Sequence, residues 1–310
     1  MFSEPRFLLG ANLPWVRYGT DFGENAWHPE GGMGVHPDPA RLRALFEALR
    51  AGDVQVLRWF LLCDGRAGVE FAPDGTPLRL TDGCWRDLDA ALRLVSAAGL
   101  RLLPVILDFP WGQRARRVRG VTLGGRAATL SHPGRRAALV ERIISPLARR
   151  YGHDPVVYGW DLLNEPEWIT FGAGTWRPFG TITPGSLRRF LRDATAAVHA
   201  EALQPVTVGS ASARWLPLVR GLGLDLFQVH WYDRLDRRAP LERDVATFRC
   251  DRPVLLGEFP TAGSSRAPAE IARLARGAGY AGAFFWSVLA EDGATHQPAK
   301  KIAGAGRDDR

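Results

Sequence analysis

The stretch Val156 to Trp168, VVYGWDLLNEPEW, begins as a continuous apolar run and closes abruptly on an asparagine, an acid, a proline, a second acid and a tryptophan. A run of this length without polar alternation is what a parallel strand buried on both faces requires. Further stretches of the same character recur along the chain: FLLGANLPW (7–15), VQVLRWFL (54–61), LRLLPVILDF (100–109), PVTVGSA (205–211), LDLFQVHWY (224–232), PVLLGEF (253–259) and GAFFWSV (282–288). Between them lie amphipathic patterns of helical period, such as Trp85, Leu88, Leu92 and Val95, or Leu187, Phe190, Leu191, Ala194 and Val198. Thr183-Pro184 reads as an N-cap followed by a first-turn proline. The fifth and sixth helices are the weakest, and RWLPLVRG spans two turns at most.

Strands in strict alternation with helices point to an α/β protein closed as a (β/α)8 TIM barrel. An open doubly wound sheet would call for a Gly-x-Gly-x-x-Gly turn after the first strand, and GANLPW does not supply one. A chain of 310 residues accommodates one such barrel with long loops. No repeat or linker divides it, so residues 1–310 read as a single domain, with 301–310 as a frayed tail.

Composition narrows the function. An apolar content of 46% with 24% charged residues belongs to a globular chain with a large core, and no run is long enough for a membrane span. The start, MFSEPRFLLG, lacks the pattern of a signal peptide, which places the protein in the cytoplasm unless a leader has been trimmed. The net charge of +7 is carried almost wholly by arginines scattered over the chain. One cluster stands out, RARRVRG from Arg114 to Gly120, but no nucleic-acid-binding motif accompanies it, so nucleic acid is not expected as a partner. Cys63, Cys84 and Cys250 cannot all pair and read as reduced thiols.

Barrel active sites lie at the carboxyl ends of the strands. There this sequence places Asn12 and Trp15, Arg58, Asp108 and Trp111, Asn164 and Glu165, His230, Trp231 and Tyr232, Glu258, and Trp286. Glu165 and Glu258 end the fourth and seventh strands, on opposite sides of an eight-stranded mouth. Two carboxyl groups facing each other across a pocket are what glycosidic-bond cleavage uses, one as proton donor and the other as ionised nucleophile or base. Tryptophan faces suit the apolar faces of sugar rings. Asp161, four residues before Glu165 and deeper in the barrel, reads as a buried carboxylate paired with Arg58. Glu167, beyond Pro166, reads as a surface acid. Trp15, Trp59 and Trp160 read as at least partly core, whereas Trp111, Trp168, Trp231 and Trp286 are the candidates for sugar contact.

LLNEP with Glu165, followed by LLGEFP with Glu258, resembles clan A of the glycoside hydrolases, nearest to the family-five cellulase and mannanase group. The resemblance extends to Arg58, to His230 and Tyr232 in HWY, and to Trp286. It implies Glu165 as acid/base and Glu258 as nucleophile, with Arg58 and Tyr232 hydrogen-bonded to Glu258. One position departs from the group: many members carry Asp-x-His at the end of strand three, where this chain has Asp108-Phe-Pro110.

The expected activity is retaining hydrolysis of β-linked oligo- or polysaccharides by a monomer, with no cofactor and no metal. The competing expectations are a transglycosylase on the same residues and a catalytically silent carbohydrate-binding barrel.

Overall fold

The computed structural model describes residues 7–32, 38–177, 181–237 and 239–289, and the tail expected to fray lies outside them. All of the expected strands form: β1 (Leu8–Asn12), β2 (Val56–Phe60), β3 (Arg101–Asp108), β4 (Trp160–Asn164), β5 (Val206–Ser210), β6 (Phe227–His230), β7 (Val254–Pro260) and β8 (Gly282–Trp286). Each pairs in parallel with its sequence neighbours, and β1 closes the ring by pairing with β8. The fold is the (β/α)8 barrel that the strand pattern indicates.

Local chemistry accounts for the helices. Pro39–Ala51 starts on Asp38, whose carboxylate accepts from the Arg41 amide, and Asp82–Ala97 starts on Thr81. Thr183 caps Pro184–Glu201 by accepting from the Ser186 amide, with Pro184 in the first turn where no N–H is missed. After β3 a short helix, Ala127–Ser131, ends at the extended His132, and the chain is helical again from Pro133 to Tyr151, with a wider π turn at Val140–Ile144. Pro146 lies two residues beyond it; it donates no hydrogen bond, and its ring crowds the carbonyl four residues back, that of Arg142 inside the wider turn, which relieves the clash. Where the weak fifth and sixth helices were expected, short 3-10 turns stand at Ala213–Leu218 and Val245–Phe248.

Two antiparallel hairpins were not foreseen, Val69–Phe71 with Pro77–Leu80 and Arg116–Val118 with Val121–Leu123. The second turns on Arg119-Gly120, both at positive φ (43° and 83°), the conformation of the two-residue turn that matches strand twist. It carries the RARRVRG cluster out over the barrel mouth side of β3.

The barrel interior is layered. Leu8, Val56, Leu103, Leu226, Leu255 and Phe284 form an apolar floor. Gly10 makes room for it: a Cβ there would lie 2.2 Å from the Phe284 ring. Above this floor the inward positions become polar, and the much larger apolar cluster fills the shell between strands and helices. No helix among the described residues is long and apolar enough to cross a membrane.

Candidate active site

Strand register brings the polar residues to one level. Asn12 lies beside Arg58, Asp108 beside Asn164, and His230 beside Glu258. Arg58, wholly buried, is the hub. Its Nε donates to Asp161 Oδ2 (2.9 Å), Nη1 to Glu258 Oε1 (2.6 Å) and Asn12 Oδ1 (2.9 Å), and Nη2 to Asn164 Oδ1 (2.7 Å). A planar guanidinium fork can hold four acceptors in fixed directions, which a lysine cannot. Asp161 also accepts from Gln228 Nε2 (2.8 Å) and the Gly209 amide (3.2 Å), so it is the buried structural partner of Arg58 that its depth suggested. Gly209 is required here, because a Cβ would come within 2.8 Å of Arg58 Nη2 and 3.0 Å of His230 Nε2.

The two glutamates have different surroundings. Glu258 accepts from Arg58 on Oε1 and from the Tyr232 hydroxyl (2.8 Å) on Oε2. Burial raises its pKa, opposed by His230 and Arg58, while the charge of Glu165 adds to the rise and the Tyr232 bond offsets it. Glu165 follows β4 in the left-handed region (φ 46°, ψ 52°), which costs a non-glycine residue roughly 1–2 kcal/mol and turns its side chain into the mouth. Its Oε2 accepts from Trp168 Nε1 (2.7 Å), and its Oε1 lies 2.7 Å from His230 Nδ1. Burial raises the Glu165 pKa as well, with the Trp168 bond and the more distant Arg58 charge opposing.

His230 is driven to a pKa of about 4, by burial first, so its ring is neutral at ordinary pH. Its Nε2 finds no hydrogen-bond partner among the described residues. The single ring proton therefore belongs on Nδ1, where it is donated to Glu165.

One carboxyl oxygen of Glu165, one of Glu258 and a ring nitrogen of His230 all lie within 4.8 Å of one another. One oxygen of each carboxyl group therefore lies within 4.8 Å of the other across the mouth, a close approach of the kind in which retaining glycosidases hold their two carboxyl groups, roughly 5–5.5 Å apart. The same three side chains have the spacing to hold a cation. The Arg58 guanidinium already supplies positive charge to Glu258, Tyr232 donates to its other oxygen, and Trp168 and His230 each donate to one oxygen of Glu165.

A cavity of about 380 Å³ opens above the pair, lined by both glutamates, Asn164, Asp108, Tyr232 and Trp286. Trp15, Tyr18 and Phe60 complete its wall, and Trp15 packs edge-on to Tyr18 (4.8 Å) and Trp286 (5.8 Å). Asp108 accepts from Asn164 Nδ2 (2.9 Å) and the Tyr18 hydroxyl (3.0 Å). Burial pushes its carboxyl up to about 7 against those bonds. Tyr18 is a site residue that sequence reasoning missed: it lies in a long loop after β1, and no motif marks it. Trp15, expected to be at least partly core, is half-buried against the cluster of Phe60, Cys63, Val105 and Trp286 and also faces the cavity.

Three expectations are overturned. Trp111 is wholly buried, donating Nε1 to Thr129 Oγ1 (2.8 Å) and packing on Phe71, so it cannot touch sugar. Trp231 is also buried, donating to the Ala239 carbonyl (3.2 Å); as the residue after inward-facing His230, it falls on the outer face of the pleat. Glu167 is no surface acid. It is buried, accepts from the Ala211 amide (3.2 Å), and has its carboxyl pushed up to about 8 by burial. Trp168 and Trp286 do reach cavities, and Trp168 lines a second, larger one beside the first.

Acid–base work at a glycosidic oxygen is what so close and so differently held a pair of carboxyl groups is suited to. No protein-family model matches it. It is similar to the mannan endo-1,4-beta-mannosidase of Mytilus edulis, 23% identical over an alignment 325 residues long that covers 91% of this chain and 83% of that protein. Among solved structures, its fold matches the beta-1,4-D-mannanase from Cryptopygus antarcticus (TM-score 0.78, 19% identity, 98% of this chain and 91% of that one). It also matches the endo-1,4-beta-mannanase from Eisenia fetida (TM-score 0.77, 21% identity, 95% and 88%). The resemblance to the family-five cellulase and mannanase group, read first from LLNEP and LLGEFP, holds across the barrel.

Proposed function

We propose that the protein is a retaining β-mannanase that hydrolyses β-1,4-linked mannan or manno-oligosaccharides, with Glu258 as nucleophile and Glu165 as acid/base. The observation that carries the reading is the facing pair, within 4.8 Å, one member clamped by Arg58 and Tyr232 and the other held by Trp168 and His230. A guanidinium and a phenol hydroxyl favour the ionised form of Glu258, which a nucleophile needs. Glu165 has no such cation in contact. Burial, and with it the repulsion between the two carboxylates, favours its protonated form, which a donor to the leaving oxygen needs. Glu258 attacks the anomeric carbon while Glu165 protonates the departing oxygen. Glycosylation removes the Glu258 charge, the Glu165 pKa falls, and Glu165 then takes a proton from the water that releases the sugar.

The mannan assignment is supported by the named relatives, and the two adjoining cavities, about 380 and 780 Å³, suit a cleft longer than one sugar. The test is a panel of soluble β-mannan, cellulose derivatives, xylan and aryl β-glycosides, with products followed by chromatography and proton NMR. The reading predicts shortened mannan chains whose new ends appear first as the β anomer. Products longer than the substrate would make the protein a transglycosylase. Inertness across the panel would leave a carbohydrate-binding barrel.

A further inference from the structure

The arginine cluster noted in the sequence acquires a place in the structure. Arg114 and Ala115 lead into the hairpin arm that begins at Arg116, and all three residues border one cavity. It is the second cavity, about 780 Å³, and Arg177 from the segment after β4 lines it as well. Phe109 lines both cavities, so the second continues the first. Trp168, whose indole donates to Glu165, lines the second cavity, whereas Glu258 and Trp286 line only the first. The acid/base stands against the leaving oxygen, so space beyond it on the Trp168 side receives the leaving-group sugars.

This stretch of cleft is strongly and one-sidedly charged. No acid lines it, and the Arg114, Arg116 and Arg177 side chains form no ion pair among the described residues. Some arginines elsewhere on the surface are matched, as Arg149 with Glu201 or Arg79 with Glu70, and others, among the described residues, are not; this group is set apart by three of them lining one cavity without an acid. Thr175 adds a hydroxyl to the wall. Trp176, 75% exposed and next to Arg177, offers an apolar face at the rim. A neutral mannan has no charge to meet three guanidinium groups, each of which presents a planar fork to a carboxylate or sulfate.

Resting on the glycosidase reading above, we propose that Arg114, Arg116 and Arg177 form a leaving-group subsite for an anionic substituent, a carboxylate or a sulfate ester, on the departing sugar chain. Within the proposed β-mannan class, the preferred substrate then carries an anionic group on the portion that leaves first.

The experiment compares substrates of equal length: β-1,4-mannopentaose with its reducing-end residue oxidised to the aldonate, the same chain reduced to the neutral alditol, and a chain carrying a reducing-end sulfate ester. The expected kcat/KM for an anionic chain exceeds that for the alditol by about 3- to 10-fold at low ionic strength, the effect of a few exposed charge pairs acting together. The advantage shrinks towards one in about 1 M salt, where the Debye length is roughly 3 Å. Whichever anion gains more identifies the group the subsite takes. In Arg114→Ser, Arg116→Ser and Arg177→Ser the anion-to-alditol ratio falls. Because that ratio is read within each variant, any general effect of the substitution on the barrel cancels. A wild-type ratio of one or below, or a ratio unmoved by all three substitutions, overturns the subsite while leaving the glycosidase reading intact. No cleavage of any of the three chains overturns the glycosidase reading itself.

Discussion

Replacing Tyr232 by phenylalanine removes a single oxygen, the one whose hydroxyl donates to Glu258 Oε2 at 2.8 Å. The ring keeps its packing against the cluster of Phe60, Cys63, Val105 and Trp286, so the barrel should lose little stability. A hydrogen bond to a charged, buried carboxylate contributes roughly 1.5–3 kcal/mol, and one pKa unit corresponds to about 1.4 kcal/mol. Its loss would therefore raise the Glu258 pKa by about one to two units. Arg58 on the other oxygen remains to support the anion, so the lower figure is the expected one. Glu258 must be ionised to attack. Raising its pKa moves the acid limb of the kcat/KM profile to higher pH by about one unit. The assay is kcat/KM for an aryl β-mannoside across the acid range, paired with thermal unfolding of both proteins. An acid limb that stays in place while activity falls would refute the argument that Tyr232 acts by holding Glu258 ionised.

Two further substitutions probe the surroundings of the pair. Glu167 keeps its proton up to about pH 8 in the folded protein, against an ordinary value of 4.5, so the wild type loses stability as pH rises from 4.5 to 8 while the unfolded chain ionises. Glu167→Gln cannot ionise in either state. Its unfolding free energy in denaturant titrations should gain on the wild type across that window by on the order of 3–5 kcal/mol, and parallel pH dependences would show that Glu167 is not held protonated. Gly209→Ala would press a methyl group onto Arg58 Nη2 and His230 Nε2, the groups that hold both glutamates. Overpacking of this kind costs about 1–3 kcal/mol, and kcat should fall at least about tenfold in a protein that still folds; unchanged kcat would mean that the hub tolerates displacement.

The barrel was legible because strands buried on both faces read as unbroken apolar runs, whatever their neighbours. The position of the paired glutamates was legible for a related reason: a carboxyl ending such a run must lie at the mouth. Orientation was harder. Trp231 directly follows His230, yet the pleat sends the two to opposite faces, and Trp111 turns inward on a 3-10 turn that apolar periodicity does not mark. Glu167 is buried because an amide 44 residues away in sequence meets its carboxyl, and Tyr18 joins the site through Asp108, 90 residues away. Contacts of that kind are set by strand register, which no local pattern encodes. The RARRVRG cluster was visible as charge, but its place beside the leaving-group cavity depended on a hairpin that the strand search passed over.

Azide rescue tests the assignment of the two glutamates most directly. In Glu165→Ala, an aryl leaving group that departs as a stable phenolate needs no donated proton, so the first step proceeds and the glycosyl intermediate accumulates on Glu258. Azide needs no general base, and it should restore turnover and give the β-glycosyl azide of retained configuration. In Glu258→Ala the nucleophile is gone, and azide should attack the substrate directly to give the inverted α-azide. The account predicts this pair of products; the reverse pair, with the α-azide from Glu165→Ala and the β-azide from Glu258→Ala, would contradict it.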